Sequence, residues 1–150
     1  MQDLINERVH DYYWKHDLNC AITTLKILSE LFCVEIHPQV TEAAFGLNAG
    51  RVGTQCGLVE GALLSIGIYG SQRQVENSKV QELCRKFSVE FQQKFASVLC
   101  KELRPQGFQP ANPPHLCENL TQRAVLFTAG FLSRSIVGGA EPIEMHRLSS

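Results

Sequence analysis

The sequence predicts an all-α fold: a single-domain helical bundle of about five to six helices. Three observations support this. Apolar residues recur at spacings of three and four along several long segments, no segment shows period-two alternation, and glycine and proline gather in short stretches between the periodic ones. No internal repeat and no low-complexity stretch interrupts the pattern.

In order along the chain, Leu4, Ile5, Val9, Tyr12 and Tyr13 suit an amphipathic helix over about Asp3 to Lys15, which breaks at His16-Asp17. Asn19 then serves as N-cap for a second helix, about Cys20 to Val34, with Ile22, Leu25, Leu28 and Phe32 on one face. Pro38 opens a short third helix to about Phe45. Gly46, Gly50 and Gly53 follow as a loop. Thr54 can cap the next segment, Gln55 to Tyr69, where Glu60 is the only ionisable group before the tyrosine. So apolar a helix belongs in the centre of the bundle, with Gly70 closing it.

The longest periodic segment runs from about Val75 to Leu103, where Val80, Leu83, Phe87, Phe91, Phe95 and Val98 keep the rhythm. Pro105, Gly107, Pro110, Pro113 and Pro114 then make a constrained loop. A last helix begins near His115 and carries Leu120, Ala124, Phe127 and Phe131. The domain is expected to span 1–137, with a poorly ordered tail over 138–150.

The 150 residues are 44% apolar and 19% charged, with a net charge of -1. That charge gives no field to gather nucleic acid or an anionic membrane. The N-terminus lacks the basic start and apolar core of a secretory signal, and no apolar run approaches the roughly 18 residues needed to cross a bilayer. A cytoplasmic protein without membrane insertion is the expectation. In that reducing setting the six cysteines point to catalysis or metal binding more than to a permanent disulfide framework.

Cys33 and Cys84 lie on apolar stretches and read as small core residues. Cys20, Cys56, Cys100 and Cys117 fall near helix ends, Cys100 towards the end of the long helix and the other three at helix starts, where N–H groups and the helix dipole favour a thiolate. There is no C-x-x-C spacing. The four can therefore form a site only if the fold brings the helix ends together.

Asn19-Cys20-Ala21, the glycine loop running into Cys56-Gly57-Leu58-Val59-Glu60-Gly61-Ala62, then Cys100-Lys101-Glu102-Leu103, and finally Cys117 resemble the C_GCAxxG_C_C family of small proteins. The resemblance covers most of the chain, and it implies redox or metal chemistry at these four cysteines. Leu58 stands where the family usually has alanine, adding bulk beside Cys56. Gly57 and Gly61 share one helix face, which allows close approach by a neighbouring helix or by a cofactor, so both are candidate cofactor-binding positions. The glycine loop lacks the G-K-[ST] ending of a phosphate-binding turn.

Three chemistries stay open. Four thiolates can hold an iron-sulfur cluster, [2Fe-2S] being the natural size, for electron transfer. Alternatively, Cys20 or Cys56 attacks and a second cysteine resolves, cycling between dithiol and disulfide with no metal. Thirdly, zinc could bind in a structural or partner-binding module, with His115 substituting beside Cys117, although a histidine there reads more simply as a loop residue. His10 and His16, flanking Tyr12, Tyr13 and Trp14, read as packing, and Glu60 as a solvated or capping residue rather than a proton relay. A redox partner protein is implied, and the apolar central helix would also suit a homodimer.

Overall fold

A computed structural model describes residues 1–104 and 106–136. Pro105 and the tail expected over 138–150 lie outside the described residues. Among those described, all regular elements are helical, and the single exception to helical pairing is an isolated antiparallel bridge between Gln55 and Leu99. There are seven α-helices, slightly more than expected: α1 (Gln2–Trp14), α2 (Cys20–Phe32), α3 (Pro38–Ala43), α4 (Gly57–Gln72), α5 (Asn77–Phe95), α6 (Cys100–Leu103) and α7 (Glu118–Ser135). Tight 3-10 turns cover Ala44–Gly46 and Pro114–Cys117.

The central position of α4 follows from its composition. Leu58, Val59, Ala62, Ile66 and Tyr69 are all buried, and α4 packs on α2, α5 and α7. Its contact with α2 is the most extensive in the molecule because Gly57 and Gly61 remove the side chains that would hold the two helices apart. A Cβ on Gly57 would stand 2.8 Å from the Ala21 nitrogen, and one on Gly61 would stand 2.5 Å from the Ala21 oxygen. The helix starts at Gly57 rather than Gln55, since Gln55 is held by the bridge to Leu99. Gly70 does not close it: the helix continues to Gln72, and Gly70 instead makes room for Val80, whose Cγ2 would lie 2.7 Å from a Cβ there.

Between α5 and α7 lies an aromatic cluster in which Phe87 and Phe91 of α5 meet Phe127 and Phe131 of α7, with rings edge-on or tilted. The long periodic segment is shorter than expected. The helix stops at Phe95, where Ala96 takes the left-handed conformation at φ 74°, and Val98 belongs to the following loop. Between α3 and α4, Asn48, Ala49, Gly50 and Arg51 also adopt positive φ, making a left-handed turn within Leu47–Arg51. Such a run is costly for residues other than glycine. Asn48 holds it together: its Oδ1 accepts from the Gly53 and Thr54 nitrogens, and its own N–H donates to Glu60.

Candidate functional site

Each of the four family cysteines sits at the start of a helical element. Cys20 is the first residue of α2, whose N-cap Asn19 accepts from the Ile22 nitrogen at 2.8 Å and donates to the Ala44 carbonyl. Cys56 is the N-cap of α4, a place expected for Thr54. Cys117 ends the Pro114–Cys117 turn and is the N-cap of α7. Cys100 corrects the sequence expectation: it does not end the long helix but opens α6, after α5 has already stopped at Phe95.

Two backbone hydrogen bonds flanking the Gln55–Leu99 bridge tie the second and third cysteines together. The Cys56 N–H donates to Val98 and the Cys100 N–H donates to Thr54, both at 2.8 Å. Ser97 supports this turn by accepting from the Leu99 nitrogen and donating to Glu102. All four cysteines line one cleft with about 30 Å³ of interior space, room for one or two water molecules. Every cysteine is a free thiol.

The thiols are not equivalent. Cys20 and Cys117 are close enough for the proton of one to serve the other, and that contact lowers the pKa of Cys117 while raising that of Cys20. Burial opposes the change at Cys117, and the Arg104 guanidinium reinforces it. Cys20 also receives the Tyr13 hydroxyl, which donates at 3.2 Å and is paired with Thr121 Oγ1 at 2.6 Å in a buried setting. Burial pushes Cys56 well up, although the Leu58 and Val59 N–H groups of its helix start pull the other way. The helix N-terminus does not make Cys20 or Cys56 acidic: at Cys20 the Cys117 contact and then burial outweigh it, at Cys56 burial does, and Cys117 is the thiol shifted down.

Arg104 was not singled out from sequence. It follows α6 in the extended conformation that a residue before proline prefers. Burial weakens its charge, but Cys117, Cys100 and Cys20 together raise its pKa. Its guanidinium contacts the Cys100 thiol, and its Nε and Nη1 atoms are buried without a hydrogen-bond partner among the described residues. In the sequence Tyr13 shows only as an apolar-face position on α1. Its periodicity was legible, but its hydroxyl's contact with α2 and α7 was not.

Other candidates fall elsewhere. The gap left by Gly57 and Gly61 is filled by α2. Glu60, half-buried and raised in pKa by that burial, accepts from the Asn48 N–H and so anchors the left-handed turn. His115 stacks on Trp14, ring centroids 3.9 Å apart, and is absent from the cleft wall, which corrects its reading as a substitute ligand. His10 is not core packing but an exposed partner of Glu118. Cys33 is likewise exposed, as the left-handed C-cap of α2 at φ 51°, whereas Cys84 packs partly against the core. Leu58 is buried beside Cys56 on the cleft wall.

Fold and cleft together define an all-helical protein in which four dispersed cysteines converge at helix starts. The chain belongs to the family described as "Putative redox-active protein (C_GCAxxG_C_C)", which matches residues 18–131 and so includes all four cysteines. No curated protein and no solved structure matches it. Among the described residues, no helix is long and apolar enough to cross a membrane.

Proposed function

We propose that this redox-active family member is a thiol redox protein that cycles Cys20 and Cys117 between dithiol and disulfide. The observation that carries this reading is that those two thiols line one cleft and shift each other's acidity, with Cys117 acidified by Cys20 and by Arg104. The Cys117 thiolate attacks a sulfur of an oxidised disulfide partner, forming a mixed disulfide and expelling one partner thiolate. Cys20, after giving up its proton, attacks the Cys117 sulfur and expels the second thiolate, so two electrons pass to the partner. A partner protein in the reducing cytoplasm is the natural electron acceptor, and a homodimer would be compatible with this chemistry.

The test equilibrates the protein in redox buffers of graded potential, followed by alkylation and peptide mass spectrometry. One reversible transition linking Cys20 to Cys117 is expected. Absence of any reversible pairing, or pairing of other cysteines instead, overturns the assignment.

A second reading, an iron-sulfur cluster of the [2Fe-2S] type, is favoured by two observations: four cysteines on one cleft, and an Arg104 cation on the same wall, two of whose donors find no acceptor among the described residues, which suits an anionic centre. The donor set fits in kind, whereas for a single ion no three His, Cys, Asp or Glu side chains among the described residues stand where they could share it. The same geometry speaks against zinc. Anaerobic purification separates the readings: a brown protein containing iron and acid-labile sulfide supports the cluster, and a colourless iron-free protein after reconstitution supports the dithiol.

A further inference from the structure

One buried group that touches the thiols has no part in the dithiol cycle: the hydroxyl of Tyr13. Tyr13 is 2% exposed and Thr121 is fully buried. A phenol has one proton to donate. That proton goes to Cys20 Sγ at 3.2 Å, so at the 2.6 Å contact with Thr121 the threonine hydroxyl donates and the phenol oxygen accepts. Burial holds the Tyr13 pKa well above the ordinary 10.0, and the phenol is therefore a fixed donor to the sulfur and not a base.

The placement of these residues adds a second constraint. Tyr13 is the next-to-last residue of α1, which packs on both α2 and α7. Cys20 opens α2, and Thr121 lies one turn after Cys117, the N-cap of α7. One pair of hydroxyls thus ties together the two helix starts that carry the thiols. Cys117, Arg104 and Cys56 also face Cys20, and all three stand on the cleft wall, from which Tyr13 is absent. The phenol reaches the sulfur without standing in the cleft.

We propose that Tyr13 is a positioning residue for the dithiol, holding Cys20 Sγ through a hydrogen bond that strengthens whenever that sulfur carries negative charge. This role rests on the Cys20–Cys117 dithiol reading. When the pair is oxidised, Cys20 attacks the mixed disulfide at Cys117 as a thiolate. When a dithiol reductant restores the pair, its thiolate attacks the Cys117 sulfur. A new S–S bond forms there, the Cys20–Cys117 bond breaks, and the electron pair leaves on Cys20. The second thiolate of the reductant then closes its own disulfide and releases Cys117 as a thiolate, while Cys20 takes a proton from solvent. Two electrons pass from the reductant to the pair.

In both directions the charge passes through Cys20 Sγ, beside a donor already in place. A donor aimed at developing charge stabilises the transition state more than the neutral ground state. Tyr13 transfers no proton. Thr121 acts one step further back, since its donation polarises the phenol and strengthens the bond to the sulfur. The test follows reduction of the oxidised protein by dithiothreitol in a single turnover, quenched by alkylation and read by peptide mass spectrometry. Tyr13→Phe removes the oxygen and keeps the ring, and it should slow the release of Cys20 by about tenfold. Thr121→Val leaves Tyr13 its own proton and should slow the release by only about two- to threefold, whereas Thr121→Ser keeps the hydroxyl and should restore the wild-type rate.

A control separates this role from packing. In Cys20→Ala protein whose Cys117 carries 2-mercaptoethanol as a mixed disulfide, the leaving sulfur is never Cys20, and adding Tyr13→Phe should not alter the rate of reduction by dithiothreitol. A role confined to packing would slow both reactions alike. Circular dichroism reports whether each variant is folded. If Tyr13→Phe is reduced at the wild-type rate, or slows the control equally, Tyr13 has no positioning role and the dithiol reading stands. Should Tyr13→Phe not fold, equal rates for Thr121→Val and Thr121→Ser overturn the proposal in its place. If the wild-type protein forms no reversible Cys20–Cys117 disulfide, both fall together.

Discussion

Gly61 places its backbone against α2 so closely that a methyl group would meet the Ala21 oxygen at 2.5 Å and Thr24 Cβ at 2.9 Å. The first of these is backbone, so the two helices themselves must separate. Gly61→Ala gains about 1 kcal/mol of helix propensity, but overpacking costs as much as about 3 kcal/mol. A net loss of about 1–2 kcal/mol in denaturant unfolding is expected. Gly67 lies in the same helix with nothing within 4 Å of a Cβ, so Gly67→Ala should instead stabilise by about 1 kcal/mol. Opposite signs at two glycines six residues apart would show that close helix approach, not helix propensity, sets the requirement for glycine at 61.

The thiols give a second prediction at this scale. The pKa of Cys117 is lowered from the ordinary 9.0 by Cys20 and Arg104, so its thiolate persists below pH 9 and its alkylation should fade only as pH drops through that lower value. Cys56, raised by burial, should stay unreactive throughout the same range. Iodoacetamide labelling followed by peptide mass spectrometry across pH reads both. Arg104→Gln should move the Cys117 profile towards higher pH, and Cys56 labelled ahead of Cys117 would contradict this ordering.

At the scale of the element, the end of α5 decides where Cys100 can go. Val98 continues the apolar rhythm, and so the sequence reads as one long helix through Leu103. The break comes from Ala96 at φ 74°, a conformation that alanine rarely takes and that competes poorly on local grounds. What holds it is tertiary: the Cys56–Val98 and Cys100–Thr54 hydrogen bonds reward the chain for leaving the helix. Ala96→Gly relieves the left-handed strain and should stabilise the protein by about 1 kcal/mol in denaturant unfolding, without changing the Cys117 alkylation profile. The same competition explains why Asn19 was legible as a cap while the start of α4 was not. Asn19 caps by its own side chain, a local chemistry, whereas Cys56 begins α4 because a distant turn pairs with the residue before it.

At the scale of the molecule, a Cys20–Cys117 disulfide would join the start of α2 to the start of α7, closing nearly the whole domain into one loop. Chain-entropy arguments put the stabilisation from so long a loop at about 4–5 kcal/mol. The oxidised protein should therefore unfold at distinctly higher denaturant than the reduced one, and the difference should vanish in Cys20→Ser. A reduced form as stable as the oxidised form would mean that the bond forms only with compensating distortion of the bundle. The aromatic cluster around Phe87 shares no residue with the cleft wall, so a core substitution there should lower stability without changing thiol acidity.

By itself the sequence determined the all-helical class, the approximate position of most helices, the apolar centre at α4 and the four cysteines of the family pattern. These follow from periodicity, capping side chains and residue identity, all of which act within a few residues. Only the tertiary structure decided that Cys20 and Cys117 share one cleft, that Cys117 rather than Cys20 or Cys56 is shifted down in pKa, that Arg104 and Tyr13 stand beside these thiols, and that His115 stacks on Trp14 instead. Thiol acidity in a buried cleft is set by desolvation and by charges brought from other helices. Neither quantity is written in the spacing of residues along one chain segment.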